Sequence, residues 1–576
     1  MNTKLGCLAV LGSTLAALLS SPGSVMAQGS KYGQFAPPDA YVDGSKLAYY
    51  GSENQWSRRQ FRQEKSNQIY GRRGQRQLLA ILDGKPTVAL GWGAERLQAD
   101  PNDFEAMFTR TVAYCQMSQL DLALASMREA VEAGLPIERF LAGPRHLLKT
   151  LTDLPEFEQF AAERTDRLIH GPMLGCVTDQ GARVWLRTWQ EAPVTIRVFA
   201  CDQQGKPTKK VACRASVNTD PKLDYTAILQ LADLQPETQY AYQVQIAEQP
   251  VLSKAHYRFK TLAAADKPTR FKIAFGGGAG YTPEYERMWD TIASKKPDAL
   301  LLLGDNVYID LAEEPRGLHR YTYYRRQSRP EFRRLIGSTP VYAIWDDHDC
   351  GIDDVWMGPY LDRPSWKPAM LRVFKENWVN PAYGNSEEPG CWFAKSVGNI
   401  DFLFLDTRYF RTNPFAEHPT MLGPQQKEWL LRQLSSSTAA FKVLVSSVPW
   451  AENSKPGSHD TWDGFREERE EIFAAIAANK IDGVLLMSAD RHRSDVRKID
   501  RPDGYALYDM MSSKLTNAHT HECLAGALFC YNAGCSFGML TLDTTAVDPT
   551  ATYEVVDIDG EKRHRLNLSL SQLAFD

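Results

Sequence analysis

The sequence of 576 residues predicts an α/β protein, and three observations predict it. From residue 270 to about 545, short apolar runs alternate with helical stretches, which implies sheets covered by helices. Ahead of them, over about 168–262, β-branched and aromatic residues alternate with polar ones, as in a β-sandwich. Ahead of that again, over about 78–165, apolar residues recur at helical spacing. At roughly 150 residues per domain, the length suits three or four such units. With 43% apolar and 24% charged residues, the composition is that of a packed protein and argues against wholesale disorder.

The chain opens with an address. Lys4 is the lone charge in residues 1–27; an apolar stretch from Leu5 to Leu19 comes next, then the small-residue end Val25-Met26-Ala27. This pattern predicts a signal peptide over 1–27 and an exported protein, periplasmic or extracellular, without a transmembrane anchor. No Arg-Arg pair precedes the apolar stretch, so twin-arginine export is not indicated. Residues 28–77 read as a polar leader.

Asp100-Pro101-Asn102-Asp103 supplies caps and an early proline for a helix. The spacing of Ala106, Phe108, Val112, Ala113, Leu122, Ala123, Ala130 and Val131 then predicts a tetratricopeptide-like helix pair within a helical segment at 78–167. One helix pair cannot bury its own face, so the segment should lean on the next unit. It serves as a spacer or as the surface for a protein partner. Over 168–264, Arg183–Arg187, Thr195–Phe199 and Tyr240–Val244 read as strands. The turn Leu234–Tyr240 resembles the tyrosine-pinned corner of a fibronectin III-like sandwich. Residues 263–268 are a linker, and 270–576 form the largest unit, ending in short strands.

Sixty-six Lys and Arg oppose 70 Asp and Glu without any long basic block, which excludes nucleic acid as a first choice of partner. Cys7 would leave with the signal peptide, so nine of ten cysteines remain, an odd number. Cys201 and Cys213 are placed to face each other across a hairpin. Cys523, Cys530 and Cys535 lie near His519 and His521; a disulfide or plain packing is preferred to zinc there, because no C-x-x-C accompanies them.

The chemistry lies at strand ends. Phe271–Phe275 runs into Gly276–Gly280; Ala299–Leu303 into Gly304-Asp305-Asn306-Val307-Tyr308; and Val341–Trp345 into Asp346-Asp347-His348-Asp349. Phe402–Leu405 ends in Asp406-Thr407-Arg408, Lys442–Val445 in Ser446–Trp450, and Val484–Met487 in Ser488-Ala489-Asp490-Arg491-His492. Strands of α/β sheets deliver such side chains to a crevice beyond their carboxyl ends. Carboxylates, a phenol and imidazoles gathered there suit hard or borderline metal ions. Two such ions activate water and clamp an in-line displacement at phosphorus, and His348 is placed to protonate the leaving oxygen. No G-x-x-x-x-G-K-[ST], G-x-S-x-G or H-E-x-x-H occurs, which argues against a P-loop, a nucleophile elbow and a zincin.

Gly304-Asp305-x-x-Tyr308, Trp345–Asp349, Leu405–Arg408, Leu422-Gly423-x-x-Gln426-x-x-Trp429-Leu430, Trp462–Phe465 and Ala489-Asp490-x-His492 occur in an order and spacing that resemble the alkaline phosphatase D (PhoD-like) metallophosphoesterase family. The resemblance covers about 168–545. It implies a four-layer α/β/β/α domain in which Asp305, Tyr308, Asp347, Asp490 and His492 bind two or more metal ions. It also implies that His348 acts as proton donor or phosphate contact with Asp349 holding it. Arg408, Trp462 and Asn306 are the expected substrate-side residues. The family's Gly-Ser-Cys after the first strand supplies a thiolate ligand; here Gly278 stands in its place, and Asn306 could substitute as a ligand. Oxygen donors with one histidine lean toward calcium, manganese, magnesium or iron. The expected function is an exported, metal-dependent phosphoesterase acting on phosphate mono- or diesters. The alternative is a catalytically impaired, phosphatase-like binding protein that recognises a partner through its helical segment.

Overall fold

The computed structural model describes residues 74–251 and 257–576. The expected signal peptide and nearly all of the leader lie outside the described residues. Helices α1 (Gln75–Leu82), α2 (Pro86–Ala99), α3 (Phe104–Gln116), α4 (Leu120–Glu132), α5 (Glu138–Ala142), α6 (Arg145–Thr152) and α7 (Pro155–Ala162) come first. Asp103 caps α3 as its sequence position predicts, its Oδ1 accepting from Ala106 N at 3.0 Å. Helices α3 and α4 pack on one another through fully buried Val112, Ala113, Ala123, Met127 and Ala130. The outer face of this pair is not left to solvent. Arg139 grips Glu105 with two bonds of 2.6 and 2.7 Å, both side chains buried. Tyr321, from a helix 216 residues downstream, donates to the same carboxylate. Gln75 Nε2 donates to the Tyr308 carbonyl at 2.5 Å.

Next comes a two-sheet sandwich. Strands β1 (Leu168–Gly175), β2 (Ala182–Thr188) and β5 (Thr226–Leu231) form one sheet. Strands β3 (Pro193–Cys201), β4 (Pro207–Asn218), β6 (Gln239–Ile246), β7 (Gln249–Pro250) and β8 (Tyr257–Lys260) form the other. Val184 and Leu186 of the first share an apolar core with Ile196, Val198, Tyr242 and Val244 of the second. Tyr240 Oη accepts from Gln235 N at 2.9 Å and so pins the preceding turn. The expected Cys201–Cys213 contact is not made. The regular β3–β4 register already sets Cys213 opposite Val198, and beyond two irregularities Cys201 lies opposite Pro207, so both thiols are free. Trp185 Nε1 donates to the Glu376 carbonyl at 3.0 Å and Tyr242 Oη to that of Gly337 at 2.6 Å, which fastens the sandwich to the large carboxy-terminal unit.

From residue 270 two mixed sheets form. The first contains β9 (Arg270–Gly276), β10 (Ala299–Leu303) and β11 (Val341–Ile344), which run parallel. Its antiparallel members are β19 (Ser536–Asp543), β20 (Thr550–Asp557) and β21 (Lys562–Ser569), and the order is β11-β10-β9-β19-β20-β21. In the second, β13 (Ile400–Phe404), β14 (Phe441–Val445), β15 (Val484–Ser488) and β17 (Leu507–Met511) run parallel. With antiparallel β12 (Phe393–Val397), β16 (Ser494–Ile499) and β18 (Phe529–Tyr531), its order is β12-β13-β14-β15-β17-β16-β18. Strands β10, β14 and β15 are buried at every position, as parallel strands covered on both faces must be.

Alternation along β13 shows what covers each face. Phe402 and Phe404 meet Phe271 and Tyr342 of the first sheet, each pair at 6.1 Å between ring centroids. Leu403 and Leu405 instead join Leu430, Leu434, Ile472 and Ile476. Those come from helices Pro424–Ser436 and Arg466–Ala478, which cover the far side of the second sheet. Helices Met288–Ser294 and Pro330–Ile336 pack together through Trp289 and Phe332 and share the core of β9–β11. No described helix is long and apolar enough to cross a membrane.

The Glu105–Arg139 pair sits at the junction of the helices with this core. Substituting Arg139→Met leaves a buried carboxylate without its cation, and urea unfolding should show a loss of about 3–5 kcal/mol. Adding Glu105→Gln should recover part of that loss.

Candidate metal centre

The carboxyl ends of the parallel strands of both sheets meet along one seam. Gly277, after β9, bridges Ser513, after β17. Ser447 Oγ, after β14, donates to Asp346 Oδ1 at 2.9 Å and lies 2.6 Å from Thr407 Oγ1. Gly304 lets β10 and β11 close up: its φ is +100°, and a Cβ there would lie 2.5 Å from that of Asp346. Asp305, Asp490 and His492 hold φ of +52°, +68° and +46°, conformations that L-residues avoid and that cluster at functional sites.

Five of the residues named from the sequence come together here by direct contact. Tyr308 Oη donates to Asp305 Oδ2 at 3.0 Å and lies 3.1 Å from His492 Nε2. One ligand atom each from Asp305, Asp347 and His348 lies within 4.8 Å of the others. Asp347 is aimed by two backbone amides, His348 N to its Oδ1 at 3.0 Å and Asp354 N to its Oδ2 at 2.6 Å. Asp490 flanks the group and acts electrostatically on Asp346. Three buried carboxylate oxygens, Asp305 Oδ1, Asp346 Oδ2 and Asp490 Oδ2, accept no hydrogen bond from the described residues. A buried carboxylate oxygen left bare is costly unless a cation meets it, so the donor set fits divalent or trivalent metal ions.

Electrostatics say the same. Burial drives the Asp305 carboxyl well above its usual range, and Asp347, Asp346 and Asp349 push it further against the pull of His348. Burial also raises Asp346 to about 7 although Arg408 opposes it, and Asp349 to about 7 against three backbone hydrogen bonds. For His348 burial acts the other way, but Asp310, Asp347 and Asp305 overcome it and hold the ring well above the usual imidazole range. His492 is held well below that range by burial, with His521, His519 and His348 adding to it.

Residues 273–528 match the family model described as PhoD-like phosphatase. This part of the chain is a PhoD-like phosphatase domain. Residues 165–264, the sandwich, match a separate domain of unknown function, DUF7800. Alkaline phosphatase D of Bacillus subtilis (strain 168) is 23% identical over 340 residues, 50% of this chain and 56% of that protein. The chain thus spans little more than half the length of the curated relative it matches. A solved structure of PhoD aligns at a TM-score of 0.58 and 17% identity, over 70% of this chain and 90% of that one. Purple acid phosphatase PPD1 from yellow lupin (Lupinus luteus) seeds aligns at 0.52 and 13%, over 70% and 75%. At these identities the likeness is one of fold, an α/β architecture with mixed sheets.

Several expectations need correction in the PhoD-like domain. Asp349 does not hold His348. Its Oδ1 accepts from Asn306 N at 3.0 Å and Val307 N at 3.1 Å, and its Oδ2 from Asp346 N at 2.9 Å, so it ties two loops together. His348 Nδ1 pairs with Asp310 instead. Arg408 is fully buried and its donors are spent on Asp346, Val355 and Asp460, which leaves it no reach toward a substrate. Trp462 is core: it stacks on Trp450 at 4.3 Å and donates to Ser446 Oγ. Asn306 is not contradicted: its Nδ2 donates to the Ile344 carbonyl at 2.8 Å, while its buried Oδ1, the atom that would bind a metal, accepts no hydrogen bond from the described residues.

Asp310 and Asn517 escaped the sequence reading. Asp310 lies two positions after Tyr308, and its signal was a carboxylate within a loop of ligands. Asn517 donates to Tyr308 Oη at 2.6 Å from an irregular segment after β17, where no motif marked it.

Gly278, where the family resemblance places a thiolate, has φ +69°, and a Cβ there would lie 2.8 Å from Ser513 Oγ. Gly278→Ala should therefore lower the stability of the metal-free protein by about 1–2 kcal/mol, read from denaturant unfolding.

Proposed function

We propose that this protein is an exported metal-dependent phosphoesterase that cleaves phosphate mono- or diesters. One observation carries the reading: ligand atoms of Asp305, Asp347 and His348 lie within 4.8 Å of one another, a buried oxygen of Asp305 accepts no hydrogen bond from the described residues, and Asp310 holds the imidazole. Export rests on the pattern of residues 1–27. Residues 28–77 would be a leader, 78–167 a helical support of tetratricopeptide-like form, 168–264 a fibronectin III-like sandwich and 270–576 the catalytic unit.

Asp305, Tyr308, Asp347, Asp490 and His492 would hold the metal ions, and their mostly oxygen donors favour calcium, manganese, magnesium or iron. When bound, such ions supply Lewis acidity toward phosphoryl oxygen and lower the proton affinity of water. The chain's own groups do the rest. Asp310 fixes the tautomer and plane of His348 through Nδ1. That leaves Nε2, 3.7 Å from Asp353, to carry the proton that a leaving alkoxide takes up. Asn517 and Asp305 orient the Tyr308 phenol. A histidine pre-set in this way favours turnover over mere binding. The helical segment, tied to the large unit through Tyr321 on Glu105 and Gln75 on the Tyr308 carbonyl, reads as a support of the catalytic unit.

Removing metals with a chelator should abolish hydrolysis of a phosphate ester, and adding them back should restore it; activity indifferent to chelation would refute the reading. His348→Asn should lower kcat about 10²–10⁴-fold on an alkyl phosphate and much less on p-nitrophenyl phosphate, whose leaving group needs no proton. Asp310→Asn should show the same leaving-group pattern with a smaller loss, about 10–100-fold.

A further inference from the structure

Beside the carboxylate group lies a second donor set of different chemistry. His519 and His521 come from the irregular segment between β17 and β18, and both turn toward His492. The ring centroids lie 5.1 Å apart for His492 and His519, 5.5 Å for His492 and His521, and 4.6 Å for His519 and His521. One ring nitrogen from each lies within 4.8 Å of the others. In a tetrahedral site with metal–nitrogen bonds of about 2.0–2.1 Å, neighbouring nitrogens are separated by about 3.4 Å. Small side-chain rotations close that difference. His492 is buried, His521 half-buried and His519 exposed, so the set opens to solvent on one side.

The segment that carries the pair is pinned on several sides. Thr520 Oγ1 contacts the His492 and Asn532 carbonyls, each at 3.2 Å. Asn532 Nδ2 donates to the His521 carbonyl at 3.0 Å. The His519 amide donates to Asn517 Oδ1 at 3.0 Å, and Asn517 in turn holds Tyr308. Cys523 and Cys530 are joined in a disulfide that closes the loop just after His521, while Cys535 stays a free buried thiol. The disulfide reading of these cysteines thus holds for one pair, yet it does not account for the histidines. Two imidazoles two residues apart, on a segment that runs into a covalently closed loop and is bonded to the backbone of a third, are positioned as ligands are.

We propose that His492, His519 and His521 form a nitrogen-donor site for a borderline first-row divalent ion such as zinc, cobalt or nickel, distinct in donor type from the adjoining carboxylate centre. Imidazole selects such ions, whereas carboxylates and carbonyls select calcium, magnesium and manganese. His492 stands between the two sets, its Nε2 3.1 Å from Tyr308 Oη and its ring centroid 5.1 and 5.5 Å from those of the pair. The inference goes beyond the phosphoesterase reading and does not rest on it, since three imidazoles bind such an ion whether or not an ester is cleaved.

Cobalt(II) tests it, because a tetrahedral nitrogen site absorbs strongly in the visible and an octahedral oxygen site weakly. The full-length protein, stripped with chelator, is titrated with cobalt and the band monitored. A strong band that saturates at one equivalent is expected. His519→Gln/His521→Gln should weaken binding in that band by more than the tenfold to hundredfold that loss of a mere supporting partner brings. Each single variant should shift the band, which keeps the test valid if the double variant fails to fold. Asp305→Asn, which leaves all three imidazoles, should retain it. A wild-type spectrum with only weak absorption, or a band unchanged in the histidine variants, would overturn the proposal, whatever the protein does to phosphate esters.

Discussion

Buried like charge is the constraint around which the PhoD-like domain is arranged. Asp305, Asp346, Asp347, Asp349, Asp354, Asp460 and Asp490 all come from segments outside the strands, Asp347 and Asp349 from a single helical turn, and each is buried or nearly so. The protein treats them in two ways. Asp346 and Asp460 are neutralised from within by Arg408, with Arg411 and Lys455 adding to Asp460. Burial alone would raise Asp460, yet those cations hold it well below the usual carboxylate range. Asp305 Oδ1 instead accepts no hydrogen bond from the described residues, nor does Asp346 Oδ2 despite the pairing of Asp346 with Arg408, while Asp490 Oδ2 lies 3.7 Å from Arg491.

The sheets make such a concentration possible. Parallel strands present their carboxyl ends on one side, and two sheets face to face bring two sets of ends together. Residues from 277 to 517 then meet although no local sequence relation joins them. The price is backbone strain: Asp305, Asp490 and His492 all adopt left-handed conformations at the turns, and only a surrounding shell that over-determines them can hold them there. Asp349 is part of that shell, since three amides of the two neighbouring loops converge on its oxygens.

Much of this was legible beforehand, because strand ends obey a simple rule. Apolar runs such as Ala299–Leu303 and Val484–Ser488 are recognisable in one dimension, and the residues directly after each run must emerge at the crevice. The rule names residues but not partners. It could not tell that Asp349 faces backbone while Asp310 faces His348, because both are aspartates in loops beside the ring. Nor could it separate Arg408 and Trp462 from the pocket. An arginine and a tryptophan after a strand look alike whether they meet a ligand or, as here, buried aspartates and another indole. Asn517, His519 and His521 lie in an irregular stretch whose path is set by distant contacts, so periodicity had nothing to say about them. The Cys201–Cys213 expectation failed on register, which a strand's alternation alone does not fix.

The first described helix touches the peptide of Tyr308 itself through Gln75. That contact ties the amino-terminal helices to the phenol loop more directly than the sandwich that lies between them in sequence. A cut anywhere in the intervening chain would therefore not free a self-sufficient carboxy-terminal half, and drift in the helices would be felt at the Tyr308 loop. Their upkeep would then be governed by the same selection that acts on the crevice, even if they never greet another molecule.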